Sequence, residues 1–112
     1  MNAKPIQLIA VTALTASLAS YYTAPASKRV IISKFTLTNT DAGVQNVDVH
    51  VVPTGGSADS SNIVIKQLAL DAGQTAAVYQ LEGHIMAAGD EIHAVADDAS
   101  VVLLFASGVS VV

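Results

Sequence analysis

The sequence contains no cysteine and no tryptophan, and its 112 residues include only three tyrosines and two phenylalanines. Without cysteine the chain can form no disulfide and can carry out no thiol chemistry. The redox compartment of the protein is therefore undetermined. A small extracellular domain without disulfides would need some other support for its stability.

Charged residues are also scarce. They make up 12% of the chain, whereas 52% of the residues are hydrophobic, mostly alanine and valine. This charged share is roughly half of that in an average globular protein. A single domain of this size leaves about a third of its unfolded-chain surface exposed after folding. Much of the exterior must therefore be apolar or weakly polar, which favours a homo-oligomer or lattice-bound subunit over a poorly soluble monomer.

Motifs that carry catalytic or cofactor chemistry are missing. The sequence has no Gly-X-Ser-X-Gly elbow for a serine nucleophile, and Gly55-Gly56 lacks the lysine and the strand-to-helix context of a phosphate-binding loop. The five basic residues are scattered and the net charge is −4, which does not support nucleic-acid binding. We predict no enzyme activity, no catalytic residue, no cofactor and no nucleic-acid partner.

Histidines and acidic residues allow two metal-site hypotheses. His50 lies two residues from Asp48, and His84 and His93 lie in an acidic segment, so a site of two histidines and a carboxylate is conceivable. No His-Glu-X-X-His spacing supports it, and surface histidines are the simpler interpretation. The calcium hypothesis uses Asp90, Glu91, Asp97 and Asp98, but the calcium-loop pattern is absent. We therefore predict no metal site.

The clearest structural pattern runs from Lys28 to Pro53, where two alternating apolar segments flank a polar break. In the first segment Ile31, Ser33, Phe35 and Leu37 share one side, which is the period of two that a β-strand imposes. The break at residues 39–43 contains turn-forming residues, and Pro53 cannot donate to a strand ladder. The pattern predicts a β-hairpin.

Further short apolar segments follow at regular spacing. They predict strands at residues 62–70, 74–81, 91–96 and 100–112, a register slip at Lys66-Gln67, a turn at residues 71–73 and one helical turn within residues 83–90. Seven or eight short strands without a long helical pattern indicate an all-β protein, an antiparallel β-sandwich of jelly-roll type. The predicted core includes Phe35, Leu37, Val47, Val49, Val51, Val102, Leu104 and Phe105.

Two apolar segments at the ends of the chain need separate treatment. Residues 1–24 could be a secretory leader, but polar residues interrupt the apolar run. We expect an N-terminal arm or first strand there, with a short helix as the competitor, and a β-sandwich domain at residues 25–112. Residues 100–112 are too short to span a membrane as a helix and predict a central strand buried on both faces.

Several segments resemble a family of small β-sandwich virion proteins of tailed bacteriophages. The resemblance starts at Tyr22-Thr23-Ala24-Pro25-Ala26 and continues through residues 29–31, 35–40, 49–58, 70–75, 89–94 and 107–109. It implies a non-enzymatic structural role as a head decoration or cement protein, or as a neck or tail component. It also implies coat protein or other virion proteins as partners, and a location in the virion, assembled in the cytoplasm of a bacterial host. A carbohydrate-binding module and a small metal-dependent enzyme are the alternatives.

Charge is distributed unevenly along the chain. The first 66 residues contain five bases and three acids, net +2, and the remaining residues contain six acids and no base, net −6. If this asymmetry survives folding, basic and acidic surfaces of adjacent molecules could meet, with the N-terminal segment hinged at Pro25. The predicted assembly contacts are Lys4, Tyr21, Tyr22, Lys28 and Arg29.

Overall fold

The computed structural model describes residues 3–111, which form nine β-strands and one short 3-10 helix. The strands are β1 (Ala3–Ala13), β2 (Ala19–Thr23), β3 (Arg29–Asn39), β4 (Gln45–Val52), β5 (Ile63–Leu70), β6 (Thr75–Ala77), β7 (Ile85–Met86), β8 (Glu91–Ala96) and β9 (Val102–Val111), and the 3-10 helix is Tyr79–Leu81. Sheet A has the order β1-β9-β3-β6, with β7 also paired to β3, and sheet B has the order β2-β8-β4-β5. All the pairings are antiparallel.

The strand order is that of a jelly roll. The short strands β6 and β7 both pair with β3 and can be treated as one strand that the 3-10 helix interrupts. The first four strands then pair with the later strands in reverse order: β1 with β9, β2 with β8, β3 with β6 and β7, and β4 with β5. This is the arrangement of one long double strand rolled into two packed sheets. The predicted all-β antiparallel sandwich of jelly-roll type is confirmed.

The predicted hairpin between Lys28 and Pro53 is wrong. Its two strands exist as β3 and β4, but β3 belongs to sheet A and β4 to sheet B, and the turn between them crosses from one sheet to the other. The buried face of β3 and the buried face of β4 oppose each other across the core. Period-two alternation shows that a strand has a buried face, but it does not distinguish a paired strand from one in the opposite sheet.

The buried face of β3 changes within the strand. Val30 and Ile32 point into the core at its start, and Phe35, Leu37 and Asn39 do so after a register shift between Ile32 and Lys34. A β-bulge adds one residue to a strand and therefore moves the following side chains to the opposite face. The predicted face is confirmed for the second half of the strand and wrong for the first, where Ile31 and Ser33 face outward.

The N-terminal segment forms parts of both sheets. Strand β1 pairs with β9 from Ala3 to Ala13, and β2 pairs with β8 in the other sheet. Leu8, Ile9 and Leu14 are buried in the core, with exposed fractions of 8%, 4% and 0%. The segment therefore forms strands that contribute to the core, rather than a projecting arm or a helix.

The core lies between the two sheets and agrees closely with the predicted set. Phe35, Leu37, Val47, Val49, Val102 and Leu104 are all fully buried. Val51 is half-buried, and Phe105 is 39% exposed on the outer face of sheet A. The expectation of a last strand buried on both faces is therefore wrong, because β9 has one buried face and one partly exposed face.

The segments between β5 and β8 differ from the predictions in detail. The register slip at Lys66-Gln67 is confirmed, since the pairing of β4 with β5 shifts there and Gln67 has a φ of 51°. The strand predicted at residues 74–81 ends at Ala77 and is followed by the 3-10 helix. The single helical turn thus lies at residues 79–81, earlier than predicted.

Candidate interaction surfaces

Three of the five predicted contact residues lie together at one end of sheet A. Lys4 on β1 pairs with Ser110 on β9, and Ser110 also pairs with Val30 on β3. Arg29 is the first residue of β3 and directly follows Lys28. Strands β1 and β3 flank β9, which places them about 10 Å apart. Lys4, Lys28 and Arg29 are exposed, and we call these three residues the basic corner.

Tyr21 and Tyr22 lie elsewhere, on β2 in sheet B. Both are half-buried and pack against the hydrophobic core, and the Tyr21 hydroxyl accepts a hydrogen bond from the backbone N–H of Thr15 at 3.1 Å. Burial raises the pKa of Tyr22 above its ordinary value. The structure therefore gives the two tyrosines a packing role and does not bring them to the basic corner.

Four aspartates lie at the opposite end of the sandwich, on the turns that follow β3, β5 and β8. These turns and the connection from β1 to β2, which lies at the same end, contain no lysine, arginine or histidine. Because strands rise about 3.3 Å per residue, the 11 residues of β3 separate this end from the basic corner by about 33 Å. We call Asp41, Asp71, Asp97 and Asp98 the acidic end.

Two buried amide side chains hold the acidic end in place. Gln45 is 1% exposed, and its Nε2 donates to Oδ2 of Asp41 at 3.0 Å and to Oδ2 of Asp98 at 2.8 Å. Asn39 is 0% exposed, and its Nδ2 donates to the backbone carbonyls of Gly43, Leu70 and Asp71. Sequence reasoning missed both residues, because an asparagine and a glutamine beside a turn are usual and nothing local shows that they are buried.

The structure also shows that charge is sorted by position along the sandwich, not by halves of the sequence. The acidic end combines Asp41, from the first half, with three aspartates from the second. Strands of sheet A carry Lys4, Arg29 and Lys34 and no acidic residue. In the described range 3–111 the ion pair is Lys34–Glu82 at 3.9 Å, and Glu91 is hydrogen-bonded to His93 at 2.7 Å. Neither contact includes a residue of the basic corner.

Exposed apolar side chains lie next to both charged surfaces. On the outer face of sheet A the strand register aligns Pro5, Val109, Ile31 and Ile85 in one row across β1, β9, β3 and β7. Ile85 is 58% exposed, and this apolar row lies two residues from Arg29 along β3. At the acidic end the exposed apolar residues are Val11 at 63%, Val44 at 55% and Leu18 at 42%.

Two open cavities lie on the outer faces of the sheets. The cavity on sheet A has a volume of about 470 Å³ and is lined by parts of β1, β3 and β9, including Pro5, Ile6 and Phe105. It lies where the pairings of β9 with β1 and with β3 both shift register. The cavity on sheet B has a volume of about 260 Å³ and is lined by Asp48, Asp97 and neighbouring residues.

The three histidines considered for a metal site lie on β4, on β8 and after the 3-10 helix. His50 and His93 lie opposite each other on β4 and β8, and each binds a different neighbour, Asn62 at 2.9 Å and Glu91 at 2.7 Å. His84 lies after the 3-10 helix, where its backbone carbonyl accepts from Ile32 N–H. Within residues 3–111 no three histidine or acidic side chains are placed to hold a metal ion.

Asp59 lies in the loop after β4 and is held by local hydrogen bonds. The side chain and the backbone N–H of Ser61 both donate to its carboxylate, and these bonds lower the pKa of Asp59 below its ordinary value. The Ser61 bonds exceed a weaker effect of the charge of His50 in the same direction. The lowering of the Asp59 pKa is local to this turn, because the Asp59 side chain is fully exposed.

Comparison with known proteins yields little. No protein-family model and no curated protein matches the sequence. A chain from the structure of infectious bursal disease virus, Gx strain, aligns with 97% of this chain at 11% sequence identity and a TM-score of 0.47. The alignment spans 32% of that viral chain. No helix among the described residues is long and apolar enough to cross a membrane.

Proposed function

We propose that the protein is a non-enzymatic structural subunit of a bacteriophage virion, a capsid decoration or cement protein that bridges or stabilises coat subunits. Its partners are coat protein, other virion proteins and further copies of the same chain. Its location is the virion, which is assembled in the cytoplasm of the bacterial host. A neck or tail component with the same sandwich is the alternative within this class.

One observation carries the proposal: the jelly-roll sandwich exposes apolar side chains beside charged side chains that form no ion pair within residues 3–111. Val11, Val44 and Ile85 are each more than half exposed. Apolar surface rimmed by polar residues marks sites where another protein binds. A protein with 12% charged residues has few means of keeping such a surface solvated, so an exterior covered by neighbours accounts for the composition.

The shape of the molecule supports a bridging role. The sandwich measures 46 × 26 × 20 Å, and its two charged surfaces lie about 33 Å apart along β3. A subunit of this form can contact different neighbours at each end while its strands keep the two contacts at a constant separation. The open cavities on the sheet faces suit a protruding side chain of a partner.

A carbohydrate-binding role remains the second candidate because of Tyr79. This side chain is 77% exposed on the 3-10 helix at the edge of sheet A. Carbohydrate modules commonly present exposed aromatic rings to sugars. Glycan-array binding by wild-type protein that Tyr79→Ala removes would favour this candidate over the structural role.

Co-sedimentation with capsids tests the structural role. Virions that lack the protein are prepared from a deletion strain and mixed with purified protein, and the pelleted fraction is measured with and without capsids. We expect saturable binding with a fixed copy number per capsid, and greater resistance of the decorated capsids to heat or to removal of salt. Absence of the protein from purified wild-type virions would rule the proposal out.

A further inference from the structure

The acidic end and the basic corner are complementary surfaces of one chain. The first carries four aspartates and no base on its turns, and the second carries Lys4, Lys28 and Arg29. Within one subunit they lie about 33 Å apart along β3, which is several times the screening length of about 8 to 10 Å at physiological salt. They therefore cannot neutralise each other unless they belong to different molecules.

Two acidic groups at the same end form no ion pair with the basic corner within residues 3–111, and both accept hydrogen bonds from other groups. Asp90 and Glu91 lie at the same end of the sandwich, in sheet B and the turn before it. The carboxylate of Asp90 accepts from the backbone N–H groups of Ala87 at 2.9 Å and Thr54 at 3.2 Å. Glu91 binds His93 at 2.7 Å.

Apolar contacts are available on both sides of such an interface. The row of Pro5, Val109, Ile31 and Ile85 lies beside Arg29, and Val44 and Leu18 lie beside the aspartates. Arg29 shares the outer face of sheet A with the apolar row, whereas Lys4, in register with buried Ser110 and Val30, projects from the other face at the sheet edge. The two ends thus place apolar side chains beside groups of opposite charge. Complementary charge of this kind directs association and sets the register, while the buried apolar area supplies most of the affinity.

We propose that the chain associates with itself head to tail, the acidic end of one copy docking on the basic corner and adjacent apolar row of the next. The contact is heterologous, since it joins two different surfaces, and repetition of it builds a closed ring or an open chain. This inference deepens the proposed function and rests on it for its setting, a virion in which many copies lie side by side.

Two variants test the two surfaces separately. Lys4→Glu, Lys28→Glu and Arg29→Glu together reverse the basic corner. Asp41→Asn, Asp71→Asn, Asp97→Asn and Asp98→Asn together neutralise the acidic end, and each new amide oxygen can still accept the hydrogen bonds of the aspartate it replaces. Lys66→Glu on β5 and Asp59→Asn serve as control variants, because both alter exposed charges outside the two surfaces.

Sedimentation velocity and light scattering measure the association at protein concentrations up to about 100 μM, where weak contacts become populated. We expect wild-type protein and both controls to form oligomers, and the dissociation constant to rise roughly tenfold when salt screens the exposed pairs that the three basic residues form. Each multiple variant alone is expected to be monomeric. A mixture of the two is expected to form a one-to-one dimer and no larger species, because only one intact contact remains. Circular dichroism establishes that the variants are folded.

Three results would overturn the inference: wild-type protein that stays monomeric at low salt, multiple variants that associate like the wild type, and a mixture that forms no dimer. The last result would indicate a symmetric contact between identical surfaces. Co-sedimentation with capsids is measured in parallel. Capsid binding by a monomeric wild-type protein would retain the proposed function and assign the charged ends to contacts with the coat.

Discussion

Gly108 is the residue at which the backbone of the sandwich leaves least room. It lies on β9 between β1 and β3, and a Cβ atom at this position would overlap the carbonyl oxygen of Ile31. The obstacle is backbone of a paired strand, which cannot move as a flexible side chain can. Only glycine therefore fits here without a shift of the ladder.

We expect Gly108→Ala to lower the free energy of unfolding by about 2 kcal/mol or more, because the strand must move to admit the methyl group. Denaturation in urea, followed by circular dichroism, measures the change. Gly43→Ala is the control: the contact nearest its Cβ is the Asp41 carboxylate at 3.9 Å, so it should change stability little. Equal stability of the two variants would contradict the prediction.

Asn39 has a comparable role among polar residues. Its amide nitrogen faces three backbone carbonyls at 2.8 to 3.1 Å, and its Oδ1 accepts from Asp41 N–H at 2.8 Å. An aspartate here would direct a carboxylate at those carbonyls in a site without solvent contact.

We therefore expect Asn39→Asp to cost at least about 3 kcal/mol of stability near neutral pH, which is the effect of an unpaired buried charge. Gln74→Glu is the matched control, because the Gln74 side chain acts as an acceptor from Asp71 N–H at 2.7 Å, and a carboxylate can accept equally well. Urea denaturation of both variants at pH 7 compares them. A loss of similar size in both would show that amide donation at Asn39 is unimportant.

At the level of elements, strand positions could be predicted from the sequence better than strand partners could. The bounds of β3, β4, β5, β8 and β9 agree with the alternating apolar segments to within a few residues. The partners do not, because β3 and β4 are separated by a short polar turn that suits a hairpin equally well. The turn crosses between sheets, so that Phe35 and Val47 both face the core.

Engineered disulfides can test this pairing cleanly, since the chain has no cysteine of its own. Thr36 pairs with Ala77 in sheet A, whereas Asn46, which a hairpin closed by residues 39–43 would place opposite Thr36, lies in sheet B. We expect the double variant Thr36→Cys with Ala77→Cys to oxidise readily and stay folded. The double variant Thr36→Cys with Asn46→Cys should remain reduced, because its cysteines lie on strands of different sheets. Thiol titration after mild oxidation distinguishes them.

The N-terminal strands show how a segment that looks peripheral in sequence becomes part of the core. An N-terminal arm or first strand was the expectation for residues 1–24. Those residues supply β1 and β2, one strand at an edge of each sheet, and with them Leu8, Ile9 and Leu14. The edge of β1 is protected by Lys4, Pro5 and two register shifts, devices that discourage unspecific strand pairing.

We expect removal of residues 1–24 to abolish cooperative folding, because it leaves the edges of β9 and β8 unpaired and deletes three large buried apolar side chains worth about 2 to 5 kcal/mol each. The amide region of a proton NMR spectrum and a thermal melt report the result. A truncated protein that melts cooperatively near the wild-type temperature would contradict the structure.

For the whole molecule, the sorting of charge has a consequence for stability as well as for assembly. The acidic end holds four aspartates close together, and the two that share Gln45 Nε2 are drawn together by it. Like charges at this spacing repel, and salt screens the repulsion.

We expect the protein with its basic corner reversed, which should be monomeric, to melt at a higher temperature as salt rises from about 20 to about 200 mM. The same variant with the four aspartates also changed to asparagine should show a much smaller dependence on salt. Differential scanning calorimetry at one protein concentration measures both. Identical salt responses would mean that repulsion at the acidic end is negligible.

The candidate surfaces were predictable in composition but not in location. Lys4, Lys28 and Arg29 were predicted as contacts on charge alone, and the register of β1, β9 and β3 brings them together. Tyr21 and Tyr22 were predicted with them. Their strand belongs to the other sheet, and their rings pack against the core.

The sequence by itself determined the fold class, the positions of the turns and the scarcity of charge. Alternation and turn residues are properties of neighbouring residues, and composition is a property of the whole sequence. Tertiary structure alone decided which strands pair, that the buried face of β3 switches at its bulge, and that aspartates distant in sequence meet at one end. The physical reason is that strand pairing joins residues far apart in the chain, and the free energy that selects a partner comes from burial across the core. No local pattern records that choice.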